Sequence, residues 1–206
     1  MIEKQVSFDV EAYAPFPLRD FSELRGLAKI PDSLMEAHEK LYEGYVKNTN
    51  LLRRRLKDAG LGTPEWSEMK RRMGFELGGL RLHELYFENL MPGGSDPAPA
   101  FEDALAATWG SFKKWQEEFE AVVQMRGVGW AILYQDPVGG GLSNHWIGLH
   151  EEGHPPGFTP LMVVDVWEHA YTGMTRSNYL SAVFANLNWE RIKSRWEFHS
   201  GRTRLT

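Results

Sequence analysis

Asp165 and His169 stand four residues apart in the stretch Pro160-Leu161-Met162-Val163-Val164-Asp165-Val166-Trp167-Glu168-His169-Ala170-Tyr171. A carboxylate and an imidazole at this spacing can converge on one ion if the chain turns helical after Asp165, because positions i and i+4 share a helix face. Such a pair suits iron, manganese or zinc better than calcium or magnesium. Taken alone, it is more often a cap and a packed ion pair, with Asp165 at a helix N-terminus and His169 inside. Further ligands must come from the other histidines, at 38, 83, 145, 150, 154 and 199. His199 falls in a polar tail and His154 in a loop, and both read as solvated. His145, beside Trp146, reads as a packed side chain. His38 and His83 differ, since each falls on the inner face of a predicted helix. With Asp165 and His169 they make three imidazoles and one carboxylate, which leaves a redox metal a net positive site with room for one solvent molecule.

The elements that must position this set are legible in outline. Leu161 to Val164 is a short β-branched run with the length of a buried strand, delivering Asp165 at its end. Pro31-Asp32-Ser33 predicts a helix start with Asp32 or Ser33 as N-cap, and the helix runs from Leu34 to about Ala59, stopped by Gly60 and Gly62. His38, Tyr42 and Tyr45 form one stripe along it, whereas Arg53-Arg54-Arg55 reads as a solvated face. A second helix runs from Pro64 to Leu90 with a break near Gly74. Gly78-Gly79 inside it costs about 2 kcal/mol relative to alanine, which makes sense where another backbone or a metal site comes close. Two such helices joined by a short turn form an antiparallel hairpin.

Residues 1–31 read as an extended surface arm. The Pro/Gly-rich stretch at 91–100 reads as a linker, dividing the chain into 1–95 (arm and α-hairpin) and 96–206. In the second part Trp109, Phe112, Trp115 and Phe119 form a helical core stripe. Gly127–Gln135 and Leu142–Leu149 read as strands, Tyr179–Ile192 as a final helix, and the tail beyond Trp196 as loose. The expected class is α+β: an N-terminal antiparallel helical hairpin, then an α/β domain with a three-stranded antiparallel sheet and flanking helices on one side.

Composition excludes several alternatives. Cysteine is absent from the 206 residues, which removes disulfides, thiolate ligands and cysteine nucleophiles together. No apolar run approaches the roughly 20 residues of a membrane span. The first residues are acidic where a secretory leader is basic and then apolar, so the cytoplasm is the expected compartment. The net charge is −5, with no basic patch for nucleic acid, so an anionic substrate needs a locally positive funnel.

Several motifs occur together: Asp165-Val166-Trp167-Glu168-His169-Ala170-Tyr171, Gly78-Gly79-Leu80-Arg81-Leu82-His83, Tyr45-Val46-Lys47-Asn48-Thr49-Asn50, Gly110-Ser111-Phe112, Gly129-Trp130 and Asn188-Trp189-Glu190. In these the chain resembles the iron/manganese superoxide dismutase family over about residues 32–196. The resemblance implies superoxide as substrate and one iron or manganese ion per subunit, held by His38, His83, Asp165 and His169. It implies that Trp167 and Trp130 wall the site and that Tyr45 and His150 form its proton chain. It also implies a homodimer or tetramer in which Glu168 reaches the partner subunit's His169. Arg176 matches an arginine near the substrate entrance, where it would supply a positive field; an ordinary structural ion pair is the other reading.

The chain departs from the family pattern at several points. The interval from His38 to Tyr45 is seven residues, one short of the pattern, and strict counting back from Tyr45 reaches Ala37, which cannot bind metal. Tyr42 takes the place of a gateway histidine, and Thr172 that of a tyrosine facing the partner's gateway. Gly79 matches the glycine of manganese members at a place where many iron members carry glutamine. His150, counted from Leu142, stands where manganese members bring a glutamine from the sheet, with His145 and His154 as alternatives. Two other functional readings follow: a non-catalytic metal-binding dimer of the same fold, and a metal-dependent hydrolase.

Overall fold

In the computed structural model, which describes residues 14–203, helix α1 spans Asp32–Asp58 and α2 spans Pro64–Glu88. α1 buries Met35, His38, Tyr42, Val46 and Thr49, three- and four-residue steps that place one stripe against α2. Its cap differs from expectation. Pro31 holds the N-cap position, and Asp32 uses Oδ1 to accept from the Gly26 amide at 2.8 Å. α2 is capped by Thr63, whose hydroxyl accepts from the Trp66 amide at 3.2 Å, with Pro64 in the first turn. It runs unbroken through Gly74, since one helical glycine costs only about 1 kcal/mol. Gly78 and Gly79 mark real close approaches. A Cβ would lie 2.4 Å from the His150 carbonyl oxygen at the first and 2.5 Å from the Tyr45 ring at the second.

Before α1 the chain runs antiparallel beside it. The Arg19 amide donates to Tyr42 Oη, the Phe16 amide to Asn50 Oδ1, and Arg53 to the Ala14 carbonyl. Arg53 is therefore an anchor for the arm rather than part of a merely solvated face. The arm is superficial only as far as Asp20. A 3-10 turn at Ser22–Leu24 follows, and Phe21, Leu24, Leu27 and Ile30 are buried in the core, each contributing roughly 1.5–3 kcal/mol of apolar burial. The part of the predicted arm in residues 1–13 lies outside the described residues.

Helices α3 (Pro99–Trp109) and α4 (Phe112–Val123) meet at Gly110, whose φ of 88° ends α3 in the left-handed conformation. Three antiparallel strands follow: β1 (Gly129–Gln135), β2 (Leu142–Gly148) and β3 (Thr159–Asp165), in the order β2-β1-β3. β1 is buried along its whole length, and helices cover both faces, not one. The Trp130 ring meets His83 of α2 at 5.1 Å. Asn144, registered opposite Leu133 on the other row, accepts from Trp115 of α4 at 3.1 Å. Both side-chain rows of β1 are apolar, so both need cover.

The predicted last helix is two: α5 (Arg176–Ala185) and α6 (Trp189–Thr203). The buried Asn186 divides them. Its side chain pairs with both the amide and the carbonyl of Ala28, at 2.8 and 2.9 Å, offering the chain an alternative to continued helix. The carbonyls of Asn186 and Leu187 accept from Met91 and Ser95, so the 91–95 stretch is pinned. α6 continues where a loose tail was expected, with Trp196 packed on Phe101 at 5.3 Å. Among the described residues no helix is long and apolar enough to cross a membrane.

Glu88, at the end of α2, joins the arm to α6 by binding Arg19, Arg191 and Arg195. Burial would raise its carboxyl, but hydrogen bonds from Arg195, Arg19 and Arg191 bring it down to about 2 from an ordinary 4.5. A carboxyl depressed in the folded state stabilises above its unfolded value and loses that contribution as pH falls through the folded one. Glu88→Gln should therefore lower stability by about 2 kcal/mol at neutral pH, allowing for the exposure of Arg19 and Arg191. Denaturant titration should show the gap narrowing from pH 4.5 toward 2; a pH-independent gap would assign the effect to packing.

Candidate metal centre

Four side chains from four elements of the fold meet beneath the hairpin. α1 supplies His38, α2 supplies His83, the end of β3 supplies Asp165, and a 3-10 turn at Glu168–Tyr171 supplies His169. Their potential ligand atoms all lie within 4.8 Å of one another. Asp165 Oδ2 is the focus, 3.0 Å from His38 Nε2, 3.1 Å from His169 Nε2 and 3.8 Å from His83 Nε2. The expected helical turn directly after Asp165 is replaced by a corner. Asp165 Oδ1 accepts from the Trp167 amide at 2.7 Å, and the 3-10 turn then returns His169 to the carboxylate.

The residues fit a transition metal on several counts. His83 Nδ1–H donates to the Gly79 carbonyl at 2.6 Å, which fixes the tautomer and leaves the Nε2 lone pair aimed at the cluster. That Nε2 is buried and has no hydrogen-bond partner, an arrangement costly for a polar atom unless an ion satisfies it. Burial pushes the His83 ring down to about 3 and lowers His38 as well, so both are neutral donors. Burial would raise Asp165, but hydrogen bonds from His169 and His38 outweigh it and hold the carboxyl well below its usual range. Ligand atoms about 2.1 Å from a shared ion sit roughly 3.0–3.4 Å apart, the spacing found here between Asp165 and two of its imidazoles.

Around the cluster stand the aromatic residues expected there. Trp130 is registered opposite Asp165 on the neighbouring strand, and Trp167 stacks on His150 with ring centroids 4.9 Å apart. The indole Nε1–H of Trp130 can only donate, and it donates to His150 Nδ1 at 3.0 Å. His150 therefore carries its proton on Nε2 and donates it to Tyr45 Oη at 2.7 Å. The Tyr45 hydroxyl hydrogen is left as the end of this chain. Of the three histidines considered for this place, His150 alone enters the site. His145 pairs with Ser143 at 2.9 Å, and His154 bridges Tyr134 to the His150 carbonyl, so neither is simply solvated or packed.

Two expected residues are engaged elsewhere. Tyr42 is buried, and its hydroxyl donates to Glu84 at 3.0 Å while accepting from the Arg19 amide. Arg176 makes no ion pair among the described residues. It donates to the carbonyls of Val123, Met125 and Gly127 and to Tyr171 Oη, clamping the loop between α4 and β1 beside the turn that carries His169. Glu168 is exposed next to His169, and a cavity of about 310 Å³ lined by Leu34, Leu41 and Thr172 opens onto His38 and His169. Sequence reading missed Phe75, whose ring lies 4.5 Å from His150; it stands eight residues before His83 on the same helix face, a signal that was present. It also missed the Tyr179–Tyr86 hydroxyl pair, which closes the far side of His38 and which no local motif announces.

Comparison with known proteins agrees with this geometry. Residues 97–195 match the family described as "Iron/manganese superoxide dismutases, C-terminal domain". The chain is 37% identical to "Superoxide dismutase [Mn] 2" of Halobacterium salinarum over 120 residues, covering 56% of this chain and 60% of that protein. It is 32% identical to "Superoxide dismutase [Mn] 2" of Haloferax volcanii over 177 residues, covering 78% and 83%. To "Superoxide dismutase [Mn]" of Mycolicibacterium smegmatis it is 30% identical over 173 residues, covering 81% and 84%. These longer matches take in the hairpin as well as the sheet, and on them the chain belongs to the iron/manganese superoxide dismutase family.

Proposed function

We propose that this protein dismutates superoxide, and that the convergence of His38, His83, Asp165 and His169 on one point carries the reading. Two superoxide ions and two protons give one oxygen molecule and one hydrogen peroxide. A bound iron or manganese ion would supply the one-electron redox chemistry this reaction needs. Three imidazoles and one carboxylate would hold that ion, and Trp130 and Trp167 wall the site against bulk water. Tyr45 is pushed up to about 12, by burial first and then by the Asp165 and Glu76 carboxylates, so it keeps its proton at neutral pH. Burial brings His150 down to about 4, so it stays a neutral donor that positions Tyr45.

His150→Ala should therefore retain the metal but lose activity by about 10–100-fold, the usual cost of removing an outer partner. Elemental analysis alongside a superoxide assay checks this; loss of the metal itself would mean that His150 has another role. Metal with no superoxide consumption in the parent protein would favour the non-catalytic alternative. Among the described residues no second carboxylate joins the cluster to serve as a base, which disfavours the hydrolase.

We assign the biological unit as a homodimer. The exposed Glu168 side chain makes no hydrogen bond or ion pair among the described residues, and the neighbouring cavity is mostly apolar. A second copy would cover that cavity and bring Glu168 to the partner subunit's His169. A monomeric mass in sedimentation would sink this assignment. The cysteine-free chain suits a reducing compartment such as the cytoplasm.

A further inference from the structure

The two carbonyls that flank the His150 Cα are each held by a side chain from beyond the turn. Trp167 Nε1–H donates to the Leu149 carbonyl at 3.4 Å, and His154 Nε2–H donates to the His150 carbonyl at 3.0 Å. A peptide unit is planar, so fixing the units on both sides of one Cα fixes that residue's two backbone torsions and the direction of its side chain. The turn needs such holding. Leu149 has a φ of 50°, a left-handed conformation that a leucine rarely adopts and that its surroundings must maintain. The Gly148 and Glu152 backbones close the turn at 2.9 and 3.1 Å, but they touch neither of the two carbonyls inside it. We infer that His154 is a positioning residue for the superoxide reaction, aiming His150 at Tyr45 through the His150 carbonyl; this rests on the role given to His150 above.

His154 is itself oriented from the core. A carbonyl only accepts, so His154 carries a proton on Nε2, and the Nδ1 lone pair of the neutral ring accepts from Tyr134 Oη at 2.6 Å. Tyr134 is buried in β1, and burial pushes its hydroxyl up, so the phenol keeps its proton as the donor. On its other side the His150 carbonyl faces Gly78, where a Cβ would lie 2.4 Å away. The His154 ring is exposed, so replacing it empties no space in the core. What its removal frees is the carbonyl, and with it the ring that donates to Tyr45 at 2.7 Å.

The test uses the full-length protein loaded with iron or manganese and the variants His154→Gln and His154→Asn. The glutamine nitrogen reaches as far as imidazole Nε2 and can donate to the His150 carbonyl. The asparagine amide ends at the level of Nδ1 and keeps only the Tyr134 contact. His154→Asn should lower turnover about tenfold, the low end of the usual cost of losing an outer partner. Its crystal structure should show His150 Nε2 beyond hydrogen-bond distance of Tyr45 Oη. His154→Gln should recover most of the turnover and that bond, and both variants should match the parent in metal content and melting temperature. On a His150→Ala background, His154→Asn should lower turnover no further, because the two act through one group. Equal turnover in parent and both variants, with the His150–Tyr45 bond intact, would overturn the inference. So would equal losses in both variants, which would leave His154 only a loop-holding role. Full activity in His150→Ala would instead sink the reading of His150, and the bond in His154→Asn would still decide whether His154 aims the ring.

Discussion

Asp165→Asn is expected to fold, to purify without stoichiometric iron or manganese, and to fall below about 1% of the parent's superoxide turnover. The amide oxygen can still accept from the Trp167 amide, as Oδ1 does at 2.7 Å, so the corner that returns His169 survives. What is lost is the anionic oxygen that faces three imidazoles. Losing an outer partner commonly costs about 10–100-fold in metal affinity, and losing the only charged ligand exceeds that. Metal content by elemental analysis, with far- and near-ultraviolet circular dichroism on the same sample, separates metal loss from unfolding. Full metal content in the folded variant would remove Asp165 from the ligand set.

Gly78→Ala is expected to have the largest effect on stability of any single-methyl addition in α2. The new Cβ would lie 2.4 Å from the carbonyl oxygen of His150 and 3.2 Å from its Cβ. Backbone cannot swing aside as a side chain can, so the overlap costs about 3 kcal/mol, against a helix-propensity gain of about 1 kcal/mol. The net loss of about 2 kcal/mol should lower the melting temperature by roughly 4–8 °C. It should also lower activity, because the residue displaced is the one that donates to Tyr45. Gly74→Ala is the control in the same helix. Its Cβ would meet only the Glu151 Cβ, at 4.0 Å, so the propensity gain should stand and the melting temperature should rise slightly. Equal shifts in the two variants would contradict the close approach of α2 to the His150 loop.

What could be read from the sequence follows the range of the interactions involved. His38 and His83 declared themselves because helical periodicity places them on inward stripes, and Asp165 and His169 because they share one short motif. The glycine pair announced a close approach without saying what approached, since the His150 carbonyl and the Tyr45 ring arrive from distant segments. The division between α5 and α6 was not legible, because Leu180, Val183 and Leu187 keep helical spacing while Asn186 breaks the helix through a bond to Ala28, 158 residues away. Tyr42 shares a stripe with His38, yet its hydroxyl is claimed by Glu84 and the Arg19 amide. A stripe fixes a face, not the direction of a hydroxyl. Arg176 likewise met carbonyls where a motif suggested an open cation.

The most direct measurement is a crystal structure of the purified protein with anomalous-difference maps at the iron and manganese absorption edges. One peak per chain is expected, bonded by Nε2 of His38, His83 and His169 and by Oδ2 of Asp165. A peak elsewhere, or an imidazole of His38 turned away from it, would contradict the metal centre and the activity derived from it.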